Sequence, residues 1–527
     1  MLRAPASLTL AAVSLILLAV PGHAVTVEPP SHLYQKHCAS CHGADRLGGM
    51  GPALLPENLG RLKPAKAKQV IASGQPATQM PGFSSDLDSV QIAALVDHIY
   101  TPLPRAPEWG LAEIQASREV SVASSQLVDR PRFAADPLNL FVVVEAGDHH
   151  VTVLDGDSLE PLTRFPSRFA LHGGPKFSPD GRFVYFGSRD GWVTKYDLHG
   201  LAVVAEVRAG INTRNIALSH DGRVLAVANY LPHSLVLLDA ADLGPIQIIP
   251  TLDVRKKNSS RVSAVYRAAP RSSFVVALKD IPELWEISYA EDPPAVFSGL
   301  VHSHEKGMVE ALPQAGPFPI RRTELSQPLD DFFFTPSYRE VMGSARDGAN
   351  SVVVNLDVRR EIATLPLPGL PHLGSGISWV RDGRRVMATP HLKGGLVSVV
   401  DMEEWKVIQT IKTLGPGFFM RSHENSPYAW VDVFFGPNRD AVHVIDKQSL
   451  KIVKTLRPEP GKTAAHVEFT RDGRYALLSI WDMNGAIIVY DAGTLEEIKR
   501  LPFVKPSGKY NVHNKIRLSG APATNRT

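Results

Sequence analysis

Asp180-Gly181-Arg182-Phe183-Val184-Tyr185-Phe186, a turn tripeptide followed by an apolar strand-forming run, decides the fold because the chain repeats it. Asp-Gly-Arg recurs at residues 221–223, 382–384 and 472–474, each time before residues suited to a strand. A second signal keeps step with the first, namely strands that end in aspartate, as in Val153-Leu154-Asp155, Lys195-Tyr196-Asp197 and Val489-Tyr490-Asp491. Asp155, Asp197 and Asp239 stand 42 residues apart, and Asp357, Asp401, Asp446 and Asp491 follow one another at intervals of 44, 45 and 45. That period is one four-stranded blade of a β-propeller. The 118-residue gap from Asp239 to Asp357 is too long for one blade, and Leu284-Trp285-Glu286-Ile287-Ser288-Tyr289 supplies the strand expected inside it. Counting it, the sequence predicts an eight-bladed propeller over residues 125–515, with the proline-rich stretch near 291–320 as a long connection and 516–527 as a tail. Functional residues are expected where the loops of many blades converge over the central channel.

Ahead of this region the texture differs. Residues 109–124 read as a linker, entered through Pro102, Pro104 and Pro107. Residues 25–108 hold two helical segments, one leading into residue 38 and one from Asp88 to Tyr100, with Gly- and Pro-rich chain between them. Cys38-Ala39-Ser40-Cys41-His42 contains both cysteines of the chain in the C-x-x-C-H pattern that attaches a c-type haem. Two thiols at this spacing reach the two vinyl groups of one haem as thioethers, and the adjacent His42 imidazole is placed as the proximal iron ligand. A disulfide across so short a loop would constrain almost nothing. The segment resembles a small monohaem cytochrome c, in which the two helices cross and loops close over the porphyrin. That resemblance implies a sixth ligand from a far-side loop, either Met80 in Gln79-Met80-Pro81-Gly82 or, second to it, Met50; His37 and His98 are read as surface or packing residues. The expected class is therefore mixed but mainly β, a small helical cytochrome c domain followed by the propeller.

Composition narrows the function. A net charge of +3 on 527 residues makes nucleic acid an unsuitable partner. Residues 1–24 carry Arg3, an apolar run from Leu8 to Val20 and Gly22-His23-Ala24, which together read as an export signal, with the periplasm as the fitting compartment. No later stretch reaches the about 18 consecutive apolar residues of a membrane span, so no transmembrane anchor is expected in the mature chain.

Five stretches carry a further resemblance: Gly187-Ser188-Arg189-Asp190-Gly191, Asn212-Thr213-Arg214-Asn215, Pro371-His372-Leu373-Gly374-Ser375-Gly376, Ser422-His423-Glu424-Asn425-Ser426 and Pro506-Ser507-Gly508-Lys509-Tyr510-Asn511-Val512. In this order, behind a c-type cytochrome, they make the chain similar to the cytochrome cd1 nitrite reductases and, more closely, to the dihydro-haem d1 dehydrogenases. The resemblance implies His172 as proximal ligand to the d1 iron and His372 as a distal histidine able to act in proton transfer or to ligate the iron. It implies Arg214 as a partner for the carboxylates of haem d1, with Arg261, Lys279 and Arg346 as weaker matches and His423 as a shared histidine of unassigned role. A second distal histidine of the reductases is matched by Phe333-Phe334-Thr335-Pro336, and an arginine three residues beyond the proximal histidine by Pro175. His466 and Tyr510 resemble the dehydrogenases alone. Removing two electrons and two protons from a propionate of the ring calls for a base, which His466 would supply, while the Tyr510 phenol would hold the carboxylate or stabilise developing charge.

The first reading is thus an exported oxidoreductase that oxidises dihydro-haem d1 at a propionate, passes electrons through haem c to an external acceptor, and releases haem d1 for a cytochrome cd1 nitrite reductase. Two alternatives stay open: a nitrite reductase with the opposite electron flow, and a non-catalytic carrier of haem d1.

Overall fold

The structure is a computed structural model that describes residues 1, 28–49, 51–60, 62–74, 80–298, 312–314, 316–344 and 350–520. The export signal, Met50 and Arg346 lie outside the described residues.

Among the described residues, eight four-stranded antiparallel sheets follow one another around a ring, one of them widened by a fifth strand. We number them blade 1 to blade 8 in chain order. Blade 1 contains Phe141–Glu145, His150–Leu154 and Pro161–Pro166, and its innermost strand is Pro506–Asn511 from the far end of the chain. Phe141 pairs with Asn511 and Val142 with Tyr510, which closes the ring. Strands near the axis are buried on both faces because each blade is sandwiched between two others. Phe141-Val142-Val143-Val144-Glu145 is buried throughout, whereas the outermost strand of blade 5, Arg360–Leu365, alternates between exposed and covered positions.

The repeat has a local cause. The aspartate ending the third strand of a blade accepts backbone N–H groups from the turn that follows: Asp155 from Asp157 at 3.0 Å, Asp239 from Ala241 at 2.7 Å, Asp491 from Gly493 at 2.9 Å. Asp-Gly-Arg forms the turn between the first and second strands, with the glycine left-handed at φ +78° in Gly181 and +76° in Gly473. Blade 5 departs from the pattern. Its third strand stops at Asn355, whose amide oxygen takes the capping bonds from Asp357 (3.0 Å) and Val358 (3.1 Å), while Asp357 pairs with Arg271 and Arg339 instead. The predicted strand near residue 285 is Glu283–Ser288 of blade 4, and after it Phe297–Ser298 pairs with Leu312–Pro313 before the blade's outer strand, Ile320–Glu324.

In the N-terminal part, helices Pro30–His37 and Ser89–Tyr100 pack through Leu33, Tyr34, Leu95, Val96 and Ile99. Asp88 caps the second helix, accepting from Val90 and Gln91 at 2.8 Å each. Residues 109–124 lie along blade 2. Helix Leu111–Ala116 buries Ile114 there, and Glu119–Val120 adds the fifth strand. The last helix, Val512–Gly520, continues from the closing strand past residue 515. Among the described residues no helix is long and apolar enough to cross a membrane.

Candidate active site

The segment around the two cysteines fits a haem. Cys38 and Cys41 are free thiols, and burial, with Cys41 beside it, pushes the Cys38 thiol up to about 11. The His42 ring nitrogen Nδ1 lies 2.8 Å from the carbonyl oxygen of Pro52, so Nδ1 carries the proton and Nε2 is left with a lone pair for iron. Gly51 permits this placement, because a Cβ there would lie 2.8 Å from the ring. Met80 packs against the apolar cluster that also receives Cys38.

A cavity of about 450 Å³ opens on one face of the propeller. Its walls come from connections between successive blades and from those between the second and third strands of a blade, so its residues are far apart in sequence. His172 stands on one side, in the connection from blade 1 to blade 2. Its Nδ1 donates to the carbonyl oxygen of Arg214 at 2.8 Å, and its Nε2 faces Arg189 Nη2 at 2.9 Å. The tautomer is therefore that of an imidazole able to bind a metal through Nε2. Pro175 and Arg189, the latter from the Gly187-Ser188-Arg189-Asp190-Gly191 loop of blade 2, both line the cavity.

His372 stands in the connection from blade 5 to blade 6. Its Nδ1 lies 2.5 Å from the carbonyl oxygen of Phe418 and 3.1 Å from Ser375 Oγ, which fixes the same tautomer. Burial holds its pKa below the ordinary histidine value, so the ring is neutral at physiological pH. Beside it Asp331 accepts from Tyr266 Oη at 2.8 Å and from the Gly374 N–H at 2.6 Å.

Tyr510, on the closing strand, lines the cavity, while His466 stands one layer behind its wall. The His466 ring meets Tyr510 at 5.1 Å and Phe419 at 4.8 Å, both edge to face. His466 violates two local rules at once. Its φ is +56°, a strained value for a side chain, at a bulge in the first strand of blade 8, and neither ring nitrogen has a hydrogen-bond partner although the residue is 1% exposed. Burial and the nearby cations Lys509, Arg421 and Lys515 hold its pKa well below the ordinary value. Asp432 braces the layer, accepting from Phe418 N at 2.7 Å, Phe419 N at 3.1 Å and His466 N at 3.3 Å, and burial pushes its carboxyl up to about 7.

Other predicted residues fall elsewhere. Arg261 and Lys279 are on the cavity side but do not line it, since Arg261 is paired with Asp280 and Lys279 with Asp330. His423 is in the connection between the first and second strands of blade 7, on the opposite face. There its Nδ1 accepts from Asn425 N at 3.1 Å, and Gly473 packs so closely that a Cβ would strike the ring, so a cofactor-binding role for His423 is corrected to a structural one in this loop. Phe333, Phe334 and Thr335 belong to the core of blade 5 and do not face the cavity, so that stretch is not where a second distal histidine would stand. Among the described lining residues the histidines are His172 and His372. Sequence reasoning missed Arg189, Asp331, Asp432 and the aromatic wall of Phe418, Phe419, Phe434 and Trp481. The Phe418-Phe419 and Phe434-Phe435 pairs were the visible signal.

The family described as cytochrome D1 heme domain matches residues 135–300 and 301–515, and the one described as cytochrome C oxidase, cbb3-type, subunit III matches residues 26–99. The chain is 58% identical to dihydro-heme d1 dehydrogenase of Pseudomonas aeruginosa, over 93% of this chain and 94% of that protein. It is 25% identical to nitrite reductase of Stutzerimonas stutzeri, over 93% of each. A solved structure of dihydro-heme d1 dehydrogenase NirN in complex with DHE matches with a TM-score of 0.85 at 58% identity, covering 93% of this chain and 100% of the other. At this identity and coverage, with both domains matched, the chain belongs to the dihydro-heme d1 dehydrogenase family.

Proposed function

We propose that the protein oxidises a propionate of dihydro-haem d1 to an acrylate, and that His466 beside Tyr510 carries this reading. A buried, strained imidazole with both nitrogens unpartnered is retained at a cost in stability, which a catalytic base explains and a packing residue does not. His172 and His372, through their Nε2 atoms, would hold the ring's iron, and Arg189 and Arg214, which also line the cavity, would pair with its carboxylates. Neutral His466 takes the proton released from the propionate side chain. Transfer needs an approach of about 3 Å, and Phe419 and Tyr510, whose rings lie 4.8 and 5.1 Å from that of His466, stand between it and the cavity. Burial pushes the Tyr510 phenol up to about 12, so it stays protonated and donates to the carboxylate. Haem c, when bound through Cys38, Cys41 and His42, supplies a one-electron acceptor that must be used twice per product.

The protein works in the periplasm, delivers electrons to an external acceptor and yields haem d1 for a nitrite reductase. The test is to incubate haem c-loaded protein with dihydro-haem d1 and an electron acceptor. A product lighter by two hydrogens is expected, and ligand of unchanged mass overturns the proposal. Rapid nitrite consumption with a reduced donor would reverse the assigned electron flow.

A further inference from the structure

Below Tyr510 the innermost strands of blades 1, 7 and 8 enclose charged side chains that the reaction above does not use. Arg421, Glu468 and Lys509 are 1%, 3% and 0% exposed, and Lys515, on the last helix, is 9% exposed. Glu468 Oε2 lies 3.2 Å from Lys515 Nζ, and its Oε1 accepts from Asn514 Nδ2 at 3.2 Å. Lys515 Nζ stands 5.4 Å from the centre of the Tyr510 ring, on the side toward the opposite face, and Glu468 follows His466 by two residues on one strand. Lys509 is tied to the His466 carbonyl oxygen and to Ser479 Oγ.

Glu468 Oε2 and Lys515 Nζ are buried at ion-pair distance, and the two nitrogens of His466, earlier on the same strand, are unpartnered. Buried polar atoms with unmet hydrogen-bonding capacity are costly to keep, and a proton passes between groups within hydrogen-bond reach directly or through one bridging water. The reaction converts –CH2–CH2–COO⁻ to –CH=CH–COO⁻ with loss of two electrons and two protons. The electrons leave through haem c to the external acceptor. The two protons must leave the site, and the buried charged groups next to Tyr510 offer them a way out.

We infer that the Glu468–Lys515 pair is the proton outlet of the site, receiving protons from His466 and passing them along the propeller axis to the opposite face. This rests on the proposed oxidation. Lys515 is faced by Glu468, Arg421 and the Tyr510 ring, and Glu468 by Lys515, Arg421, Lys509 and Tyr510. Burial brings the Lys515 ammonium down to about 8, within reach of exchange with neutral solvent.

The experiment uses full-length, haem c-loaded protein and the variants Glu468→Gln, Lys515→Met, Lys515→Arg and the double neutral variant E468Q/K515M, which removes both members of the ion pair together. Single turnovers with dihydro-haem d1 follow haem c reduction and, with an indicator dye in weak buffer, proton release. E468Q, K515M and the double variant should slow proton release at least about tenfold, shift the pH profile and recover with added methylammonium, while K515R stays near the parent. Calorimetric titration with haem d1 in two buffers of different ionisation enthalpy should show a changed proton count on binding in E468Q. If the variants match the parent in rate, pH profile and proton count, the outlet is refuted while the oxidation stands. If the parent forms no product, both fall.

Discussion

His466→Phe separates the two claims made for this residue. The imidazole has two buried nitrogens without partners, each of which costs about 1–3 kcal/mol. Phenylalanine removes both while keeping the edge-to-face contacts with Phe419 and Tyr510. The larger ring strains its surroundings by about 1–3 kcal/mol, and the left-handed backbone at φ +56° is unchanged. The balance is a gain of about 1–3 kcal/mol in stability from a substitution in a fully buried position. For a propeller of this size that raises the calorimetric transition by roughly 1–2 °C per kcal/mol. Oxidation of dihydro-haem d1 should fall by about 10²–10⁴, the usual contribution of a positioned base, with affinity for the ligand nearly unchanged. The assay is scanning calorimetry beside single-turnover mass analysis. A variant destabilised by more than about 2 kcal/mol would mean the nitrogens are satisfied in the protein, and one that oxidises normally would mean His466 is not the base.

Asp432→Asn tests the brace behind the aromatic wall. The parent carboxyl is raised from 3.8 to about 7, so the native state loses stability as pH rises from about 4 through 7, by up to about 4 kcal/mol. The asparagine does not titrate, so thermal unfolding should favour the variant over the parent more at pH 8 than at pH 5. Gly51→Ala places a Cβ 2.8 Å from the His42 ring and should displace the iron ligand, read as a shift of the reduced haem c spectrum toward high spin. Arg208→Met removes a buried guanidinium that bonds the Asp190 carbonyl oxygen and favours the ionised form of the Asp190 carboxyl, which burial pushes up to about 6. Since that carboxyl is ionised at pH 8 and largely protonated at pH 5, the stability loss should be larger at pH 8 than at pH 5 in denaturant titrations.

The propeller was legible because its repeat is a turn device. An aspartate that caps the turn after the third strand must recur wherever that turn recurs, and apolar strands buried on both faces need no finer pattern. The same device misled at blade 5, where Asn355 caps and Asp357, two residues on, only looks like the repeat. The site was legible where loops carry unusual residues, as at His172 and His372, and much less where charge must be interpreted. A sequence shows that Arg261 and Lys279 are cations but not that Asp280 and Asp330 already hold them. Glu468 and Lys515 read as ordinary strand and helix residues, because only closure of the ring brings the last helix beneath blade 8. The strain at His466 was invisible, since nothing in its neighbours announces a left-handed backbone.

Docking of the two domains bears on the direction of electron flow. Ala53 and Leu55 of the haem-binding segment pack against Ile211 and Leu231, which are on the cavity face over blades 2 and 3. Arg208 completes the junction. Its guanidinium lies 4.6 Å from the Trp109 ring, donates to the Asp190 carbonyl oxygen at 2.9 Å and reaches the carbonyl oxygen of Leu47. Asp190 follows Arg189, which faces His172, and Leu47 precedes Gly48, whose N–H is bonded to the His42 carbonyl oxygen at 2.9 Å. His42 and His172, the iron ligands on the proposed reading, are thus joined through one arginine and two short loops at the rim of the cavity. His466, Tyr510 and the Glu468–Lys515 pair are on or below the cavity floor, toward the axis. A reductase of nitrite needs protons delivered above the d1 iron, on its open face. A dehydrogenase of a ring side chain needs a base beside the ring's edge and an outlet below it. On the proposed reading His466 and the Glu468–Lys515 pair supply the second arrangement, and the rim path then carries electrons out of the site.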